Sequence, residues 1–211
     1  MSAPAAAAPI AVLRPLPPEE AGRANLYALL ARMIHAAPDG ALLHRIAQSP
    51  PLEPGADAAL ARAWGQLVAA SSAMDGDAAG DEHDALFATI GKPTVSRYAG
   101  YYIGATAVDH PRVRLRADLA ALGLAPRPEA TEPEDQFGYL FEAMRVLVAG
   151  GAGRGPATLD EQRRFFEAHV AAAAPKFFAA LGSAEASNYY RKIAALGAAF
   201  MALEAQSFSL D

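Results

Sequence analysis

Apolar residues recur along most of this chain at helical spacing. Leu26, Leu29, Leu30, Met33 and Ile34 fall at i, i+3, i+4, i+7 and i+8, which is one face of a helix. Pro18 suits its first turn, Glu19 and Glu20 complement its dipole, and Pro38 ends it. Asp39 is placed to cap a short helix carrying Leu42, Leu43 and Ile46, and Asp57 one bearing Leu60, Trp64, Leu67 and Val68. Glu82 to Ile90 reads as a further short helix containing Leu86 and Phe87, after a break at 75–81. Leu115, Leu119 and Leu122 share one side of a helix over 112–122 that Gly123 stops. Phe137, Leu140, Phe141, Met144, Leu147 and Val148 make a clean amphipathic helix. Helical pattern resumes over Thr158 to Phe178, with Pro175 expected to kink or split it at Ala174. The last helix spans Ser183 to about Ser207, with Tyr189, Tyr190, Ile193, Leu196, Phe200 and Leu203 inward.

Breaks separate these segments. SPPLEPG at 49–55 and APRPEA at 125–130 are linkers, and GGAGRGP at 150–156 reads as a flexible one. Residues 91–111, with three Tyr and three Gly, form a connection long enough to be functional or mobile. The Ala/Pro-rich residues 1–17 have no periodic apolar face and are expected to be disordered. No strand alternation of useful length and no fixed-period repeat occurs. The fold class is therefore all-α: one globular, irregular bundle of roughly eight helices over 18–211.

Composition narrows the function. The 211 residues are 53 % hydrophobic, enough for a core, and carry a formal net charge of −5. That balance argues against nucleic acid and anionic membrane as partners and favours a cationic one. The chain has no cysteine, which removes disulfides, iron–sulfur ligation and zinc–thiolate sites. The amino end lacks a charged segment followed by a continuous apolar core, so it does not read as a secretion signal. No apolar run reaches the roughly 20 residues of a membrane span, and the expected location is the cytoplasm.

The sharpest local feature is TEPEDQFGYL at 131–140, where three carboxylates crowd before an apolar helix. Thr131 and Glu134 fit a capping box, a pattern repeated by Thr158 and Glu161. That account leaves Asp135 and Gln136 over, and a packed acid cluster at one helix end attracts guanidinium or ammonium groups. Other chemistry is thin. None of the five His pairs with another at helical spacing, and His83-Asp84 is a lone dyad, short of a metal site. There is no nucleophile elbow and no phosphate loop. Arg163-Arg164-Phe165-Phe166 has no apolar stretch behind it and reads as helix surface beside core.

EPEDQFGYLFEAM resembles the E-P-x-D-H-x-x-x-x-L-x-x-M signature of the TorD/DmsD family, cytoplasmic chaperones for molybdenum-containing oxidoreductases exported by the twin-arginine pathway. NLYALLARMIHAAPDGALLHRI is similar to the family's opening helices, and ALFATIGKPTVSRYAGYYI to its Leu-Phe segment and aromatic loop. RRFFEAHVAAAAPKFFAAL and SNYYRKIAALGAAFMALE are similar to its two closing helices. The resemblance spans roughly residues 22–205 in order. Glu132, Pro133 and Asp135 match the signature. Gln136 replaces its His, which removes a titrating group but keeps hydrogen-bonding capacity. Leu86-Phe87 matches, Tyr98, Tyr101 and Tyr102 fall on or beside aromatic positions, Gly100 stands for the usual Ser, and Ala174 where Trp is common.

The resemblance implies an all-helical, non-enzymatic chaperone that binds its client's twin-arginine signal peptide until cofactor insertion is complete. Glu132 and Asp135, with Glu134, Gln136 and Phe137 beside them, are then expected to recognise cationic residues. Leu86, Phe87, Tyr98, Gly100, Tyr101 and Tyr102 are expected to line an adjoining apolar surface. On this reading Asp135→Ala weakens peptide binding without unfolding the protein. No cofactor or metal of its own is expected. The partner is an apo catalytic subunit of reductase or formate dehydrogenase type. The chaperone is a monomer or a swapped dimer, with 91–111 and 125–131 as hinges. Two alternatives are an assembly factor for the mature apoenzyme or its molybdenum cofactor, and a helical metal-dependent hydrolase using His83 and Asp84.

Overall fold

The computed structural model describes residues 15–53, 55–87, 93–104, 111–125, 132–151 and 153–210. Within them the chain is all-α, with ten helices and no named strand. They are α1 (Pro18–His35), α2 (Gly40–Ala47), α3 (Ala58–Ala73), α4 (Gly76–Phe87), α5 (Gly100–Ile103), α6 (Pro111–Ala121), α7 (Phe137–Ala149), α8 (Leu159–His169), α9 (Ala174–Ser183) and α10 (Tyr189–Leu210). Two helices exceed the expected eight. One is the single turn α5 inside the aromatic connection. The other comes from the break at 170–173, which separates α8 from α9 and leaves Pro175 in the first turn of α9.

Local chemistry sets most helix starts. Pro18 opens α1, Asp39 accepts from the Leu42 N–H at 2.7 Å, and Asp57 accepts from Ala59 and Leu60, both at 2.9 Å. Thr158 and Glu161 form the expected capping box on α8. The boundaries of α4 and α10 differ from the sequence pattern. α4 begins at Gly76, inside the expected break, because Asp75 accepts from the Ala78 N–H at 2.8 Å and caps it. α10 begins at Tyr189 rather than Ser183.

Helices α1 and α7 form the main packed pair, α10 lies against α9 and α3, and α2 covers α3. Aromatic rings fill the centre: Tyr27 against Phe200 at 4.7 Å, Phe137 stacked on Phe177 at 4.3 Å, and Phe141 parallel to Phe178 at 5.9 Å. Helix α10 is the one described helix long and apolar enough to cross a membrane by length and composition, contrary to the sequence reading. Its apolar positions Tyr189, Tyr190, Ile193, Leu196 and Phe200 are buried in this core, which accounts for its hydropathy.

A buried polar knot ties α10 to α1. Arg23 grips Glu204 through Nε and Nη2 at 2.8 and 2.9 Å, and the Tyr27 hydroxyl donates to Glu204 at 2.7 Å. The Gly-rich stretch at 150–156 is a tight turn rather than a loose linker. Gly151 and Arg154 exchange backbone hydrogen bonds at 3.0 Å, and Arg154 donates to the Leu122 carbonyl. The disordered tail expected at 1–17 falls mostly outside the described residues, as do much of the 91–111 connection and most of the 125–131 linker.

Candidate functional site

The acidic turn and the aromatic loop are adjacent. Tyr98 and Gln136 form an antiparallel β-bridge, the Ala99 N–H donates to the Asp135 carbonyl at 2.9 Å, and the Phe137 N–H donates to the Arg97 carbonyl at 2.9 Å. Backbone pairing of this kind fixes register between two segments about 35 residues apart. The side chain of Asp135 adds to it, since its Oδ2 accepts from the Gly100 N–H at 3.1 Å at the start of α5. A Cβ at Gly100 would lie 3.0 Å from that oxygen, so Gly in place of the family's Ser gives the carboxylate room.

Helix α7 starts later than the capping-box reading requires. Its N-cap is Gln136, whose side chain accepts from the Tyr139 N–H at 3.3 Å. Glu134 therefore sits in the preceding turn, and Thr131 lies outside the described residues. Gln136 is wholly buried; its Nε2 donates to Glu132 at 3.0 Å. The amide thus fills the signature's His position as a cap on one side and a hydrogen-bond donor on the other.

Each carboxylate of the cluster has a partner within the chain. Glu132 takes Gln136 and the buried Arg97, whose Nη2 lies 3.2 Å from it while its guanidinium sits 5.9 Å from the Phe87 ring centroid. Glu134 receives Arg116 of α6 in a bidentate fork at 2.7 and 3.0 Å, and this pairing holds its carboxyl below the usual range. Asp135 serves the α5 backbone and is buried. Sequence reasoning missed both arginines. Arg97, a cation immediately beside the tyrosines of the aromatic loop, was the signal for one; nothing local marks Arg116.

The expected apolar residues separate into two groups. Leu86, Phe87 and Phe137 are core rather than surface: Phe87 packs edge-on against Tyr190, and Phe137 stacks under Phe177. Burial follows from their position on the inward faces of α4 and α7. Tyr98, Gly100 and Tyr102 are half-buried, and Tyr101 is 74 % exposed. The Tyr102 hydroxyl donates to the Ser96 carbonyl at 2.9 Å, and burial pushes its pKa up to about 12. Burial, then the Glu132 charge, raises Tyr98 and also Tyr139, so both phenols feel that carboxylate.

His83 is packed between the Phe87 and Tyr190 rings, and its Nδ1 lies 3.4 Å from Asp84. Among the described residues no three His, Asp or Glu side chains converge as a metal site would require.

A family model described as nitrate reductase delta subunit matches residues 53–179, from just before α3 into α9. The chain belongs to the nitrate reductase delta subunit family. The match includes the acidic turn, the aromatic loop, α6 and α7. The family comprises chaperones of NarJ and TorD type, in agreement with the sequence resemblance, and this member is a molybdoenzyme maturation chaperone. Nitrate reductase delta family proteins are maturation factors rather than catalysts, normally soluble and cytoplasmic. No curated protein matched the chain.

Proposed function

We propose that the protein is a cytoplasmic, non-enzymatic chaperone that binds the twin-arginine signal peptide of a molybdenum-cofactor oxidoreductase and assists its folding and cofactor insertion before export. One observation carries this reading: the acidic turn 132–136 is hydrogen-bonded directly to the Tyr98–Tyr102 segment. Carboxylates and one exposed ring, Tyr101, therefore lie side by side, with Tyr98 and Tyr102 half-buried next to it. A peptide with paired arginines followed by apolar residues needs that combination, charge-assisted hydrogen bonds for register and apolar burial for affinity. Glu132, Glu134 and Asp135 supply the negative field. Tyr98, Gly100, Tyr101 and Tyr102 supply the accessible surface, with Pro133 setting the turn. Leu86, Phe87, Gln136 and Phe137 support it from beneath.

The test is calorimetric titration of the full chain with a synthetic peptide carrying Arg-Arg followed by an apolar stretch, against a Lys-Lys counterpart. Saturable binding of the first, weakened in the second and by Tyr101→Ser, supports the reading. No binding of either peptide removes it.

The family's description as a nitrate reductase subunit favours a second reading, in which the partner is the body of the apoenzyme. Co-purification with a client whose signal peptide has been deleted would establish it. Loss of the complex on that deletion favours the first.

A further inference from the structure

We infer that α6 is an intramolecular stand-in for the ligand, with Arg116 seated on Glu134 as a competitor that the client's arginine must displace. The inference rests on the reading of this site as a receptor for a cationic peptide.

The three carboxylates differ in how replaceable their partners are. Asp135 is buried and holds the α5 backbone; a cation reaching it would have to undo the β-bridge region. Glu132 is joined to Arg97 and Gln136, both buried, so exchange there would strand a charge inside the protein. Glu134 differs from both. Its partner Arg116 has a side chain that is 62 % exposed and returns to water on release. The pair is a fork of two short N–H···O bonds, the geometry that any incoming guanidinium would reproduce. The guanidinium lies mostly in water while the Glu134 side chain is 18 % exposed, so opening the pair costs little on the arginine side.

The element carrying Arg116 is lightly held. In α6 only Leu115 is buried, while Val113 is 67 % exposed. Leu119 packs partly against the core, and Asp118 pairs with His169 of α8 at 2.7 Å. Arg112 of the same segment adds positive potential at Glu134. The sequence PRVRLRADLAA sets spaced arginines ahead of an apolar stretch, which is the chemistry proposed for the ligand. A guanidinium from this chain thus already occupies the one carboxylate of the turn whose partner can leave at little cost.

Three full-length proteins form the core of the test, wild type, Arg116→Ala and Glu134→Gln, joined by the double variant and Arg116→Lys, with circular dichroism as the folding control. Each is titrated with the Arg-Arg apolar peptide and with arginyl-arginine amide. Removal of the competitor is expected to tighten binding about threefold in Arg116→Ala, the scale of an exposed ion pair. Glu134→Gln is expected to weaken binding, and adding it to Arg116→Ala to abolish the gain. Arg116→Lys, which keeps the charge but not the fork, should fall between. An Arg116→Ala protein that binds no tighter than wild type overturns the competition. If the long peptide binds all three proteins alike, competition falls and the receptor reading stands. If the long peptide binds none, while the dipeptide amide binds Arg116→Ala through Glu134, the exchange stands and the client reading falls.

Discussion

The carboxylate of Glu82 caps a helix that begins 107 residues later, accepting from the backbone N–H of Tyr190 at 2.7 Å. Its oxygens also accept from Asn188 at 2.7 Å and Tyr189 at 2.9 Å, so one side chain on α4 satisfies three orphan donors at the start of α10. Glu82→Ala should therefore lower stability by about 2 kcal/mol, more than an ordinary cap. Urea unfolding checks this; a midpoint equal to wild type would assign those donors to water.

Gly197 lets α10 cross closely over α9. A Cβ there would come within 2.2 Å of the Phe178 ring, which is itself packed against Phe141 and Phe177. Gly197→Ala is expected to cost roughly 3 kcal/mol through overpacking, despite alanine's better helix propensity. Pairing it with Phe178→Leu should recover part of the loss in thermal melts. An unpaired Gly197→Ala protein as stable as wild type would show that the ring can step aside.

Asp135→Ala changes meaning once the structure is known. The sequence predicts lost binding with the fold intact, yet this side chain anchors Gly100 and the start of α5. The variant should lose about 1 kcal/mol of stability, and amide hydrogen exchange should accelerate at 98–103 in the free protein. Weaker peptide binding with unchanged exchange there would restore the direct-contact reading.

Two histidines should make stability fall in mild acid. Burial lowers the pKa of His83 and of His169, outweighing the favourable hydrogen bonds that the rings donate to Asp84 and Asp118 respectively. A histidine depressed in the folded state takes up fewer protons there than when unfolded. Its contribution is complete above the unfolded value of about 6.5 and is lost as pH falls below it toward the folded pKa. Melting temperature should drop between pH 7 and pH 5, and less steeply in His83→Asn and His169→Asn. An equal slope in all three proteins would place the acid sensitivity elsewhere.

Periodicity was enough to read the helices and nearly all of their inward faces, because Leu and Phe at i, i+3 and i+4 leave only one buried side. Caps written into neighbouring residues, such as Asp39 and Asp57, were legible for the same local reason. Glu82 was not, since its donors lie on another helix. In the acidic turn the carboxylates were visible but their partners Arg97 and Arg116 were not, being 35 and 18 residues away. Leu86 and Phe87 show the converse limit. A matching dipeptide locates a packing position as readily as a surface, and only the fold distinguishes the two.

The knot joining Arg23 and Tyr27 to Glu204 bridges positions 181 residues apart. Synthesis runs from the amino end, so α1 emerges with only Glu20 to answer Arg23, and its Tyr27 phenol waits for α10. A chaperone built this way passes through its own nascent stage in which Tyr27 has no acceptor and the α1–α7 seam is uncovered by α10. A ribosome stalled before residue 204 would therefore hold a chain whose first helix is not yet tied to α10 through Glu204.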